Sequence, residues 1–372
     1  MGRAALLASA VALAACGHRT VIMGVAMPDG CEGDRALDSD RCMGWVFDQI
    51  ELAAGVPVYP DPAIQSYVAR IGERLVRASG DPRHWTFHVL DSSAVEAHAG
   101  LGTTVYITRG AIATLRDEAE LAGLIGHEIG HGLANHPHES YEEMVRGLPR
   151  DDDARASREA QDNEIQADAL AVVLVARAGY DPRAVETMLR AIAGAEGTPD
   201  PDKYPTHPGW AERVTRIRAL LADYPAGGDR DAERFRTAVA SLAVGDDPRR
   251  AAVVGDALVF AEAGVAYDVP GDAKVDDGVA TASIDGTIAT LRPISPLAAS
   301  ALQPHYDDDG FNIASRGPRG ALLIMVPGPH GQQIARALRD HARPPRPDEL
   351  ARIHPRLVDL GAPRALWPAV PP

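Results

Sequence analysis

The sequence predicts an α+β protein: a helix-rich domain with a small sheet over residues 57–225, and a smaller β-rich domain over 228–342. Three observations predict it. Between about residues 61 and 225, apolar residues recur at three- and four-residue spacing, with cap signals at the ends of the runs. Inside that stretch WTFHVLD and TTVYITRG are alternating and β-branched, as strands require. Beyond Gly227-Gly228 the period changes to two in VVGDALVFAEAGVAYDVPGDAKV and VATASIDGTIATLRPI, the pattern of antiparallel strands. A chain of 372 residues is also too long for one comfortable core, so two domains plus a terminal segment are expected.

The first residues, MGRAALLASAVALAACGH, carry Arg3, an apolar run from Ala4 to Ala15, then Cys16. The run is too short to span a membrane permanently and has the shape of a signal peptide, residues 1–15. Leu13-Ala14-Ala15-Cys16 resembles the bacterial lipobox, whose cysteine is acylated and becomes the new N-terminus; a plain secretory signal, with Cys16 incidental, is the alternative. Two or three acyl chains on Cys16 anchor stably where one does not. Gly17 follows, not the Asp that resembles an inner-membrane retention signal. The expected location is therefore the periplasm of a Gram-negative bacterium, lipid-anchored to the outer membrane. No later segment reaches eighteen apolar residues.

Residues 16–56 are expected to be a tether with local structure, rich in Gly and Asp. Its two cysteines, Cys31 and Cys42, invite a disulfide in an oxidising compartment. The net charge of −15 excludes nucleic acid as a partner, since a phosphate binder needs a basic face.

Asp61-Pro62 starts the first long helix, whose face is Ile64, Val68, Ile71, Leu75 and Val76. The two strands follow, separated by the irregular SSAVEAHAGLG. A helix is expected over 114–135, with Asp117, Glu118 and Glu120 in its first turn, where the helix dipole favours them. Residues 136–156 are polar and predict a surface loop. A further helix runs over 157–178 and stops at AGYDP, where the next begins. GALLIMVP is a strand candidate, GQQIARALRDHA a helix, and residues 343–372 an irregular tail.

The helix at 114–135 contains LAGLIGHEIGHGLAN. Positions four apart lie above one another on a helix, so His127 and His131 can aim at one point about 2 Å from each, the zinc–nitrogen distance. Glu128 is rotated away from that point but can reach a metal-bound water as general base. Two unpaired imidazoles in so apolar a helix would be costly. Gly126 and Gly130 give up about 1 kcal/mol each of helix propensity, which suggests a close approach by another backbone or a substrate. A catalytic zinc needs a third ligand and an open position. NEIQADA supplies candidates: Glu164 to bind the metal, and Asp168, four residues on, to accept the N–H of a ligand histidine.

HEIGH, EIQAD, AGYDP and THPGWAER together resemble the zinc metallopeptidase family of the HtpX, BepA and LoiP type, related to the CAAX prenyl proteases. IQSYVARIGERL, FHVLDS and VEAHAGLGTTVYITRGAI extend the resemblance over about residues 60–222. It implies a helix-rich minigluzincin peptidase fold with a small antiparallel sheet, of the soluble periplasmic lipoprotein branch. The implied activity is hydrolysis of peptide bonds in misfolded or misassembled periplasmic and outer-membrane proteins. It further implies one Zn2+ per chain, held by His127, His131 and Glu164, with Glu128 as base. His207 lies where the family has a histidine near the metal, to stabilise the oxyanion or to occupy the open position at rest; a plain helix-start histidine is the alternative. Arg213 matches an arginine that braces the site by an ion pair, or serves structure alone. His136 matches too, although no metal geometry requires it; it is expected either to stand behind the ligands or to be simply exposed. One departure stands out. The family's edge strand reads N-A-F-A-x-P-G-G, and here Glu96, Ala97 and His98 open it, placing titratable groups where the resemblance implies pairing with an extended substrate. The β-rich domain could bind substrates or envelope assembly proteins, or act as a cap. The competing expectation is a chaperone-like or binding lipoprotein that keeps the fold and cuts slowly or not at all.

Overall fold

The computed structural model describes residues 21–22, 25–26, 31, 40–54, 56–138, 153–196, 209–269, 272–294, 299, 302–307, 310–355 and 357. Cys16 and His207 lie outside them. The chain forms two compact units, one of residues 1–58, 91–93 and 243–356, the other of 59–90, 94–242 and 357–372.

In the first unit, β1 (Val21–Ile22) pairs antiparallel with β2 (Val25–Ala26). Helix α1 (Asp40–Ala54) buries Met43 and Val46. Its Cys42 is joined to Cys31 in a disulfide, with Cα atoms 5.4 Å apart.

The second unit begins with α2 (Pro62–Ser79). Asp61 caps it, accepting from the amides of Ala63 and Ile64, and Pro62 fills the first turn, where its missing N–H costs nothing. The face at Ile64, Tyr67, Val68, Ile71 and Leu75 is buried, as the spacing requires. The small sheet has the order β3 (Thr86–Leu90), β5 (Thr104–Thr108), β4 (Ala97–Gly100), so β4 lies at its edge. This sheet is mixed: β4 runs antiparallel to β5, but β3 runs parallel to it. Alternation fixes which face a residue takes and says nothing of strand direction, which the path from 91 to 103 decides. Phe87, Val89, Val105 and Ile107 turn to the core.

Thr108 caps α3 (Arg109–Thr114), accepting from the Ala111 amide. The chain then breaks and restarts as α4 (Glu118–Leu133), with Asp117 as N-cap instead of a first-turn residue. Next come α5 (Asp153–Arg177), α6 (Arg183–Glu196), α7 (Trp210–Leu221) and α8 (Ala232–Ala238). Gly130 explains how α4 and α5 come so close. A Cβ there would stand 3.0 Å from the Ala167 carbonyl oxygen, so the approaching backbone is that of α5. The segment after Gly228 stays in this unit, where Asp229 bridges to Tyr180.

The rest of the first unit is β-rich. β6 (Ala252–Val254), β7 (Ala257–Phe260) and β8 (Val265–Asp268) form an antiparallel sheet. The second sheet consists of β9 (Lys274–Asp276), β10 (Val279–Ile284), β11 (Thr287–Ile294), β12 (His305–Asp307), β13 (Gly310–Arg316) and β14 (Ala321–Val326), in the antiparallel order β12-β13-β14-β11-β10-β9. Asp277-Gly278 and Asp285-Gly286 make tight hairpins in it, with positive φ at all four residues, as type I′ turns demand. Helix α9 (Gly331–Asp340) packs on β13 and β14, and α10 (Pro347–Leu350) lies in the stretch expected to be irregular. Phe260, Tyr267, Leu291, Ile313 and Ile324 are among the residues of the common core. No helix among the described residues is long and apolar enough to cross a membrane.

Candidate metal centre

Helix α4 is held at its N-terminus by buried charge. Glu118 accepts hydrogen bonds from the hydroxyls of Tyr67 (2.9 Å) and Tyr180 (2.8 Å) and pairs with Arg234, while Glu120 pairs with Arg116 and Arg230. Buried next to that carboxylate, both phenols are pushed well above the usual tyrosine range, by burial first and by Glu118 next. With its start pinned and its glycine face pressed on α5, α4 has little freedom to turn. That fixes where its histidines point.

His127 and His131 aim their Nε2 atoms at a common region, 3.1 Å apart. Glu164 on α5 meets them there, with Oε2 3.4 Å from His127 Nε2 and Oε1 3.4 Å from His131 Nε2. The spacing is informative. Donors about 2.0–2.1 Å from a tetrahedral zinc ion stand about 3.3 Å from one another, and each imidazole nitrogen lies near that distance from the other and from one oxygen of the Glu164 carboxylate. Among the described residues, no other three His, Cys, Asp or Glu side chains are gathered as a comparable group. Two neutral imidazoles and one carboxylate suit zinc, so the donor set fits that ion.

Behind the donors lies a charged brace. Asp168 Oδ1 stands 3.0 Å from His127 Nδ1, a close but bent contact. Arg213, from the first turn of α7 and only 3% exposed, donates to both oxygens of Asp168 at 2.8 Å and reaches Glu164 Oε2 at 3.1 Å. Burial works against every charge here, and the pairs outweigh it. The His127 imidazole is pushed up to about 10 by Asp168 and Glu164. Glu164 is held far below the usual carboxylate range by His127, His131 and Arg213, and Asp168 goes down to about 2. Glu128, beside His127, is 6% exposed, and its charge helps keep Arg213 protonated.

Two side chains stand behind His131: His136, which the motif resemblance singles out, and Gln166, which it does not. His136 is buried at 5% exposed, its Nδ1 2.9 Å from His131 Nδ1, and its Nε2 is 3.1 Å from Gln166 Oε1. His136 was within reach of the pattern, five residues beyond His131, but only the chain's turn after Leu133 shows where it goes.

Helix α4 packs against the edge strand β4. Glu96 precedes β4 and exchanges backbone contacts with Thr108, its amide donating to the hydroxyl and its carbonyl accepting from the amide. Ala97 pairs with Ile107, and exposed His98 pairs with Tyr106 and stacks on its ring at 4.8 Å. His88 stacks at 5.6 Å on the other side of Tyr106, so three rings run across the sheet.

The profile of peptidase family M48 matches residues 62–148 and 155–221. The chain is similar to the putative beta-barrel assembly-enhancing protease of Vibrio cholerae, 26% identical over 220 residues, covering 51% of this chain and 45% of that protein. It is 24% identical over 214 residues to the beta-barrel assembly-enhancing protease of Yersinia pestis, covering 49% of this chain and 44% of the relative. A mitochondrial metalloendopeptidase OMA1 of Arabidopsis thaliana is 28% identical over 145 residues, 35% of this chain and 30% of the relative. The chain thus spans less than half the length of these curated relatives.

Proposed function

We propose, from the match of residues 62–148 and 155–221 to peptidase family M48, that this protein is a zinc-dependent endopeptidase whose ion is held by His127, His131 and Glu164. The observation that carries it is the 3.1–3.4 Å separation of three donors from two helices. A zinc ion bound there supplies Lewis acidity, polarising the scissile carbonyl and acidifying a water. Glu128 takes the proton of the attacking water on its carboxylate and delivers it to the leaving amine. Asp168 keeps the His127 ring oriented, and Arg213 keeps both acidic groups of the brace ionised. His207 stabilises the developing oxyanion or closes the open metal position at rest. The edge at Glu96, Ala97 and His98 takes the substrate as an added strand.

The substrates proposed are misassembled outer-membrane or periplasmic proteins, a reading supported by the names of the Vibrio and Yersinia relatives. Acylation at Cys16 would hold the chain at the outer membrane of a Gram-negative envelope, and the β-rich unit would engage substrate or assembly partners. The Glu96 and His98 edge favours one second reading, a chaperone-like protein that binds extended chains and cuts them slowly. Digestion of an unfolded protein decides between them. The peptidase reading expects fragments that disappear on chelation, return with zinc, and are absent with Glu128→Gln. Undiminished cleavage by that variant sinks the mechanism.

A further inference from the structure

We propose that His136 is a positioning residue for this centre: backed by Gln166, it holds the proton of His131 on Nδ1 and so keeps Nε2 open toward the ion. The proposal rests on the metallopeptidase reading above.

His131 has two ring nitrogens with different neighbours. Nε2 faces His127 Nε2 at 3.1 Å and Glu164 Oε1 at 3.4 Å. Nδ1 faces His136 Nδ1 at 2.9 Å, with the two rings nearly perpendicular at 74°. The far end of the chain sets the direction of donation. An amide oxygen accepts and cannot donate, so His136 presents N–H at Nε2 to Gln166 Oε1, 3.1 Å away. A neutral ring that carries its proton on Nε2 offers a lone pair at Nδ1. Two lone pairs do not face each other at 2.9 Å, so His131 donates from Nδ1. Its Nε2 is then left with the lone pair that a cation requires. Turning the Gln166 amide reverses every step: the proton of His131 would move to Nε2 and point at the metal position.

His127 solves the same problem with a carboxylate, Asp168, 3.0 Å from its Nδ1. The two ligand rings are therefore held by unlike partners. A second carboxylate behind His131 would add another buried negative charge beside Glu164 and Asp168, with Arg213 already committed to both. An imidazole in that place can fix the ring without adding negative charge.

The test is zinc titration of the full chain, stripped and reloaded, in competition with a chromophoric chelator. His136→Phe keeps the bulk and removes the acceptor, and outer partners of metal ligands typically contribute about 10–100-fold to affinity. That loss is expected here. His136→Gln, which restores an accepting oxygen, should recover most of it. Gln166→Ala alters an exposed residue, and should weaken binding by a smaller factor without moving the thermal unfolding of the metal-free chain. In zinc-loaded protein carrying 15N-histidine, the ring N–H of His131 should be visible in the wild type and lost to solvent exchange in His136→Phe. Unchanged affinity in both the Phe and Ala variants overturns the proposal while the peptidase reading stands. A wild-type chain that takes up no zinc overturns both. If His136→Phe does not fold, Gln166→Ala decides: wild-type affinity there overturns the proposal.

Discussion

Replacing Arg213 by Met should be among the most damaging single changes in the peptidase unit. The guanidinium makes two 2.8 Å hydrogen bonds to Asp168 and one 3.1 Å contact to Glu164, and it is 3% exposed. Met fills much of the same volume but takes the guanidinium away from buried Asp168 and half-buried Glu164. Removing one member of a buried ion pair typically costs about 3–5 kcal/mol. A whole domain is stable by about 5–15 kcal/mol, so a loss of that size is plain in urea unfolding under chelation. Arg213→Lys should recover only part of it, since an ammonium cannot make the two-pronged contact. Combining Arg213→Met with Asp168→Asn should cost less than the sum of the two, because the amide removes the stranded charge. A penalty below about 1 kcal/mol for Arg213→Met, or additivity in the double variant, would refute the account of this brace.

Gly130→Val should splay α4 from α5, because the first added carbon already stands 3.0 Å from backbone that cannot swing aside. A cost of about 1–3 kcal/mol from overpacking is expected, with zinc affinity falling as Glu164 is carried off the histidines. Unaltered zinc binding in a folded variant contradicts this. His98→Ala removes the outermost of three stacked rings, and should change which peptides are cut in a library digest while leaving zinc affinity as it was. In the β-rich unit, burial and the charges of Asp91 and Asp247 push Glu262 up to about 7 from 4.5. A raised acid adds stability at low pH and loses it as pH rises through the folded value. Unfolding midpoints should therefore fall between about pH 4.5 and 7 and flatten in Glu262→Gln. An identical slope in the variant rules out Glu262 as the source.

The parts written in local periodicity were legible. Asp61-Pro62 announced α2, the HEIGH and EIQAD stretches lie on helices, and the alternation beyond residue 250 forms two antiparallel sheets. What local pattern could not carry was decided by distant contacts. Ala-His-Ala-Gly has no strand character of its own and becomes β4 by pairing with β5. The parallel run of β3 and β5 depends on the path between them. The break between α3 and α4 turns on Thr108 and Asp117 capping separate helices within ten residues. Of the site, the spacing of four within each helix suggested which side chains share a face. That the two faces converge was a matter of Gly130 against Ala167, and His136 gave no periodic signal at all.

Zinc content per chain, measured after dialysis for the wild type, Glu164→Gln and Glu128→Gln side by side, tests the central claim most directly. One ion should remain in the wild type and in Glu128→Gln, whose carboxylate is assigned to the proton and not to the metal, and none in Glu164→Gln. Full retention in Glu164→Gln, or loss in Glu128→Gln, would contradict the arrangement of ligands and base on which the proposed chemistry depends.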